Sequence, residues 1–98
     1  MQLSTLLKTL HPVEVIGRSD IEINSIQFDS RLVGDGDLFV AQSGTSVDGH
    51  TFITHCISQG ARAIVLSNRD FLASDDNVTY ILVKDTNEAL GLLACEWY

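Results

Sequence analysis

Residues 38–66 read LFVAQSGTSVDGHTFITHCISQGARAIVL, and the order of events in that stretch decides the fold. It opens on Leu38-Phe39-Val40-Ala41, a continuous apolar run of the kind that makes a strand buried on both faces. A loop follows from Gln42 to Gly49, carrying Gly44 and Gly49. From about His50 the period changes: Phe52, Ile53, Cys56 and Ile57 fall on one helical face, and Gly60 stands where a C-terminal cap belongs. Ala63-Ile64-Val65-Leu66 is then a second buried run. Strand, loop, helix and strand in that order form the repeating unit of a parallel sheet.

The same alternation continues outward. After Leu66 a polar segment, Asn68 to Asn77, carries one helical turn around Phe71-Leu72, then Tyr80 to Val83 reads as another strand. Thr86 to Tyr98 reads as a helix with Ala89, Leu90, Leu93, Ala94 and Trp97 along one side, and no stop signal closes it, so a domain cut from a longer protein is expected. Upstream, Leu3, Leu6, Leu7 and Leu10 make one stripe of a short helix, with Pro12 soon after. Val13 to Ile16 and Ile21 to Phe28 read as two strands around Gly17-Arg18-Ser19-Asp20. In the second of these, Ile21 and Ile23 are out of phase with Ile26 and Phe28, which predicts a bulge or break near Asn24-Ser25. The expected fold is α/β: a single domain over 1–98, with a mixed, largely parallel sheet of about five strands, flanking helices and an N-terminal antiparallel hairpin.

Composition narrows the function classes. With 45% hydrophobic residues and one proline, 98 residues suffice for one core and are not a disordered chain. Six Lys+Arg against thirteen Asp+Glu give a net charge of −7, which supplies no basic face for nucleic acid or an anionic membrane. The apolar runs are too short for a signal peptide or a membrane span, and Cys56 and Cys95 form no CxxC, so a reducing, cytoplasmic compartment is expected.

Several enzyme templates are missing from these residues: Walker A, GxGxxG, HExxH and GxSxG. His50 and His55 sit on different helical faces, a spacing that suits a capping and an exposed histidine better than a metal pair. Cys56 and Cys95 both fall on predicted apolar helix faces, as buried small hydrophobes would. Asp75-Asp76 reads as a solvated turn. Two loops carry more. Phe28-Asp29-Ser30-Arg31 leaves a strand with a carboxylate, a hydroxyl and a guanidinium together, and Gly44-Thr45-Ser46-Val47-Asp48-Gly49 joins a strand to a helix. Ligands of open α/β sheets bind beside such loops, where backbone amides accept anions. The same residues also admit a plain structural reading, in which Asp48 caps the helix, Gly49 permits the turn and Arg31 pairs with Asp29 or Asp35.

Taken in series, Asp29-Ser30-Arg31, Gly36-Asp37-Leu38-Phe39-Val40-Ala41, Gly44, Asp48-Gly49-His50, Phe52-Ile53 and Gly60-Ala61-Arg62-Ala63-Ile64-Val65 resemble the N-terminal domain of the Mur ligases. The Asp-Ser-Arg triplet is most like the type that adds the third residue of the peptidoglycan stem peptide, meso-diaminopimelate or L-lysine. The alternatives are the D-alanyl-D-alanine-adding type and an interaction module without nucleotide affinity. The resemblance implies that this domain binds the UDP end of UDP-N-acetylmuramoyl-L-Ala-D-Glu, the UDP-N-acetylmuramoyl-dipeptide. Phe28 would act through its backbone, Ser30 through its hydroxyl, and Thr45, Ser46 and Val47 from the glycine loop. Many relatives have His-Gln where Thr45-Ser46 stand here, and the two small hydroxyls reach less far. The resemblance also implies that ATP and Mg²⁺ act in a central ATPase domain and that a C-terminal domain presents the amino acid. No catalytic residue, metal ligand or cofactor site is expected within these 98 residues.

Overall fold

The computed structural model describes residues 1–42, 49–72 and 77–97. A helix, α1 (Leu3–Leu10), precedes the strands β1 (Glu14–Ile16), β2 (Ile26–Gln27) and β3 (Leu38–Val40). Then come α2 (Ile53–Ser58), β4 (Ala63–Leu66), β5 (Thr79–Leu82) and α3 (Thr86–Trp97). Short 3₁₀ turns occupy Ser30–Leu32, Gly49–Phe52 and Arg69–Phe71. The five strands form one sheet in the order β1-β5-β4-β3-β2; β2 to β5 are parallel and β1 runs antiparallel.

The alternation within each apolar run builds two cores, one on each face of the sheet. Leu38, Val40, Ala63, Val65, Ile81 and Val83 point to the side covered by α1 and α3, where they meet Leu3, Leu6, Leu10, Ala89 and Leu93. Phe39, Ala41, Ile64, Leu66, Tyr80 and Leu82 point to the other side, against Ile53 and Cys56 of α2. Coverage of both faces explains why these strands read as unbroken apolar runs.

The antiparallel part of the sheet is present, yet it is not a hairpin of consecutive strands. β1 pairs with β5, Glu14 opposite Leu82 and Ile16 opposite Tyr80, whereas β2 lies on the far edge beside β3. Gly17, at φ +116, allows this: a Cβ there would come within 3.0 Å of Thr79 Cα, so the bare backbone packs directly on the start of β5. The Thr79 hydroxyl then donates to the carbonyl of Arg18 and fixes the contact. The chain crosses to the opposite edge beneath α1, where Leu3 N–H donates to the Ile21 carbonyl at 2.9 Å and Ile23 N–H to that of Met1 at 2.8 Å.

The expected break at Asn24-Ser25 is there. The Asn24 amide donates to the Asp35 carbonyl at 2.9 Å, and the Ser25 hydroxyl donates to Asp37 Oδ1 at 2.8 Å. The interruption lets Ile23 and Ile26, three positions apart, enter the same core. On α3, Asp85 Oδ1 caps the first turn by accepting from Asn87 N–H at 2.9 Å and from Glu88 N–H at 3.3 Å. Thr86, Ala89 and Leu93 are the buried stripe, and Leu90 and Trp97 flank it. Cys95, expected on the apolar face, is exposed, and so is Ala94, because the buried stripe is narrower than the run of apolar residues.

Candidate functional site

The four parallel strands end on one edge of the sheet, at Gln27, Val40, Leu66 and Leu82. The two loops singled out in the sequence leave from neighbouring strands there, which is where open α/β sheets bind ligands. Phe28 leaves β2 with 60% of its surface exposed, unusual for a phenylalanine in so small a domain. Asp29 then starts the 3₁₀ turn at Ser30. Its Oδ1 accepts from Arg31 N–H and Nε, both at 3.0 Å, and its Oδ2 accepts from Arg31 Nη2 at 2.8 Å. Hydrogen bonding from Arg31 holds the Asp29 carboxyl down at about 2. Of the two partners considered for Arg31, the structure pairs it with Asp29, and on the surface, since 86% of the Arg31 side chain is exposed.

Ser30 is half-buried, and its carbonyl accepts from the Gln59 side chain at 2.7 Å. Gln59 closes the end of α2, so the backbone that carries the Ser30 hydroxyl is tied to the α2 layer. Thr45, Ser46 and Val47 lie outside the described residues, as does Asp48. Both ends of their loop are described. Gly49 N–H donates to the Gln42 carbonyl at 2.7 Å, and a Cβ on Gly49 would sit 2.8 Å from Gln42 N. Gly49 is therefore required by close backbone approach, and it joins the two ends of the loop.

Next to that closure, His50 is 1% exposed. Its Nε2 accepts from Ser67 N–H at 3.0 Å, and its ring packs at 5.4 Å against Phe71. It thereby joins the end of the glycine loop to the end of β4. His55 is exposed, and the two histidines are not brought together. Burial pushes the Cys56 thiol up to about 11, which makes it a poor nucleophile. Among the described residues no group of three His, Cys, Asp or Glu side chains could hold a metal ion.

Two site residues carried no signal in the sequence. Gln42 Nε2 donates to Asn87 Oδ1 at 3.0 Å, which links the start of the glycine loop to the first turn of α3. Phe28 and Asn87 border one apolar cleft of about 380 Å³ together with Ile26, Leu90, Gly91 and Ala94. No local motif marks a contact between residues 45 positions apart.

Comparison with known proteins fits this arrangement. The model of the Mur ligase family, described as its catalytic domain, matches residues 22–98. The chain belongs to the Mur ligase family. Over its whole length it is 44% identical to a UDP-N-acetylmuramoyl-L-alanyl-D-glutamate–2,6-diaminopimelate ligase of Bacteroides thetaiotaomicron. It is 42% identical to the corresponding L-lysine ligase of Staphylococcus epidermidis. It covers 20% and 19% of those proteins, so it spans about a fifth of the Mur ligases it matches. A solved MurF from Acinetobacter baumannii superposes with TM-score 0.75 over 93% of this chain and 19% of its own, at 23% identity, which is a likeness of fold. The MurF ligase of Thermotoga maritima, solved in complex with ADP, gives TM-score 0.62 at 33% identity over 74% of this chain and 16% of its own. Among the described residues, no helix is long and apolar enough to cross a membrane.

Proposed function

We propose that this chain is the domain of an ATP-dependent amide ligase that holds the UDP end of UDP-N-acetylmuramoyl-L-Ala-D-Glu while the third stem-peptide residue is added elsewhere in the protein. The observation that carries this reading is that the relatives matching the whole chain at 42–44% identity bear the name of that substrate. The site agrees in kind. A uridine diphosphate asks for an apolar surface beside the base and for hydroxyls and amides beside the phosphates, and Phe28, Ser30 and the Thr45-Ser46-Val47 loop provide those groups without a cationic pocket.

The domain's contribution is positional. Binding energy gained on the UDP handle, remote from the reacting carboxylate, goes into orienting that carboxylate. ATP and Mg²⁺ would supply an acyl phosphate in a central domain. The residues of this chain do not fit that role, having neither a GxxxxGK[ST] loop nor, where described, a metal-ligand cluster. The relatives include both diaminopimelate and lysine ligases at similar identity, which supports assigning the choice of amino acid to another domain.

An amide chemical-shift titration with UDP and then with UDP-N-acetylmuramoyl-dipeptide tests the reading. Saturable shifts are expected at residues 28–31 and 44–50. Ser30→Ala should weaken UDP binding up to about tenfold, the value of one hydrogen bond, with the fold intact. Unchanged affinity in that variant removes Ser30 from the site, and absence of saturable binding in the full-length protein rejects the function.

A further inference from the structure

We propose that Gln59, at the end of α2, is the positioning residue of the Asp-Ser-Arg turn: by holding the Ser30 carbonyl it sets where the Ser30 hydroxyl meets its ligand. This rests on the reading that the domain binds UDP.

The turn has little else to fix its place. It follows β2, a strand of two residues. Its own element, Ser30–Leu32, is a three-residue 3₁₀ turn, a form whose hydrogen bonds are poorly aligned. Phe28 and Leu32, on either side of Ser30, are both exposed, so no buried side chain seats it there. The Asp29–Arg31 bonds and the bond from Leu32 N–H to the Asp29 carbonyl all lie inside the turn. Such bonds fix the shape of a turn but not its position in the domain. Among the described residues, the bond from Gln59 Nε2 to the Ser30 carbonyl is the only hydrogen bond that reaches Asp29–Leu32 from elsewhere in the chain.

Gln59 is well placed to be the anchor. Ile53 and Cys56 seat α2 in the core, and Gln59 N–H closes the helix by donating to the carbonyls of His55 and Cys56, both at 3.1 Å. Gly60 follows at φ +109 with Asp35 pressed against it, since a Cβ there would come 2.8 Å from Asp35 Cα. The Gly60 carbonyl accepts from Gly36 N–H at 2.9 Å. The backbone from which the Gln59 side chain extends is therefore held on both sides. The side chain is half-buried, and only its amide nitrogen can face a carbonyl, which defines its orientation. Once the Ser30 backbone is held, its hydroxyl chooses among staggered rotamers of one torsion. With the turn loose, a ligand would have to order the backbone as well, at a cost in affinity.

The test is a double-mutant cycle on UDP affinity, measured by calorimetry in the full-length protein with thermal melts alongside. Gln59→Leu should weaken UDP binding by up to about tenfold, the limit set by the Ser30 hydrogen bond through which it acts. Added to Ser30→Ala it should cost nothing further, because the hydroxyl it places is already gone. Gln59→Lys keeps a donor for the carbonyl and should bind UDP close to the native affinity. If Gln59→Leu fails to fold, Gln59→Glu, of the same shape but without a donor, takes its place in the cycle. A purely structural bond would lower the melting temperature and either leave affinity alone or give losses that add. Unchanged UDP affinity in Gln59→Leu or in Ser30→Ala, or additive losses in the double variant, overturns the inference and spares the UDP reading. A native protein that binds no UDP overturns both.

Discussion

Replacing glycine by alanine at residues 49 and 91 should shift stability in opposite directions, and the structure gives both magnitudes. At Gly49 the added Cβ would stand 2.7 Å from Gln42 O and 2.8 Å from Gln42 N, closer than a Cβ is found to real neighbours. Both atoms are backbone. They are held by the Gly49 N–H bond to Gln42 at 2.7 Å and, one residue earlier, by the Ala41 N–H bond to Val65 at 2.9 Å. Relief therefore requires opening the base of the loop. Overpacking of that kind costs about 1–3 kcal/mol, and loss of the Gly49–Gln42 bond costs roughly 1 kcal/mol more. The smaller unfolded-state entropy of alanine returns about 0.4–1 kcal/mol. The net expectation is a loss of about 1–3.5 kcal/mol, or a melting temperature lower by roughly 4–28 °C in a domain of this size. Gly91, with no atom within 4 Å of its Cβ position, should gain about 0.5–1 kcal/mol from the same substitution. Thermal and urea unfolding of the two variants beside the native chain decide the matter. A Gly49→Ala protein as stable as the native one would refute the claim that close backbone approach fixes the loop base.

Three other outcomes are expected. The carbon-detected titration of the Asp29 carboxyl should have its midpoint near 2 and return toward 3.8 in Arg31→Ala. The sign follows: with a depressed folded value, the pair favours the native state above the unfolded value near 4, and that contribution is lost as pH falls through 2. Thiol labelling at neutral pH should modify Cys95 quickly and Cys56 only on unfolding, so Cys95→Ser should abolish fast labelling; rapid reaction in that variant would contradict the burial of Cys56. His50→Leu should cost about 1–3 kcal/mol by stranding Ser67 N–H, with His50→Gln recovering part of it. Equal melting temperatures for the Leu and Gln variants would show that the bond contributes nothing.

The apolar runs at Leu38–Ala41, Ala63–Leu66 and Tyr80–Val83, with a helix between the first two, sufficed to specify a parallel α/β sheet. Such runs are tolerated only where both faces of a strand are covered. The break at Asn24-Ser25 was equally legible, since side-chain alternation forbids a regular strand from burying both Ile23 and Ile26. Chain proximity suggested a hairpin for the strand at Glu14–Ile16, but its partner is β5, because Gly17 lies against Thr79. Periodicity placed Cys95 inward, whereas the stripe that α3 buries, Thr86, Ala89 and Leu93, leaves it exposed. The site divides the same way. Phe28, Ser30 and the glycine loop are marked by local residue types and by family resemblance. His50 anchoring Ser67, Gln42 orienting Asn87, and Gly91 facing Phe28 join residues far apart in the chain. Local sequence determined which segments become strands, helices and loops, because each depends on the period and turn chemistry of a few neighbouring residues. Which side chains meet at the sheet's edge was decided only by the tertiary structure, because those contacts are set by strand order and helix docking, which no local pattern encodes.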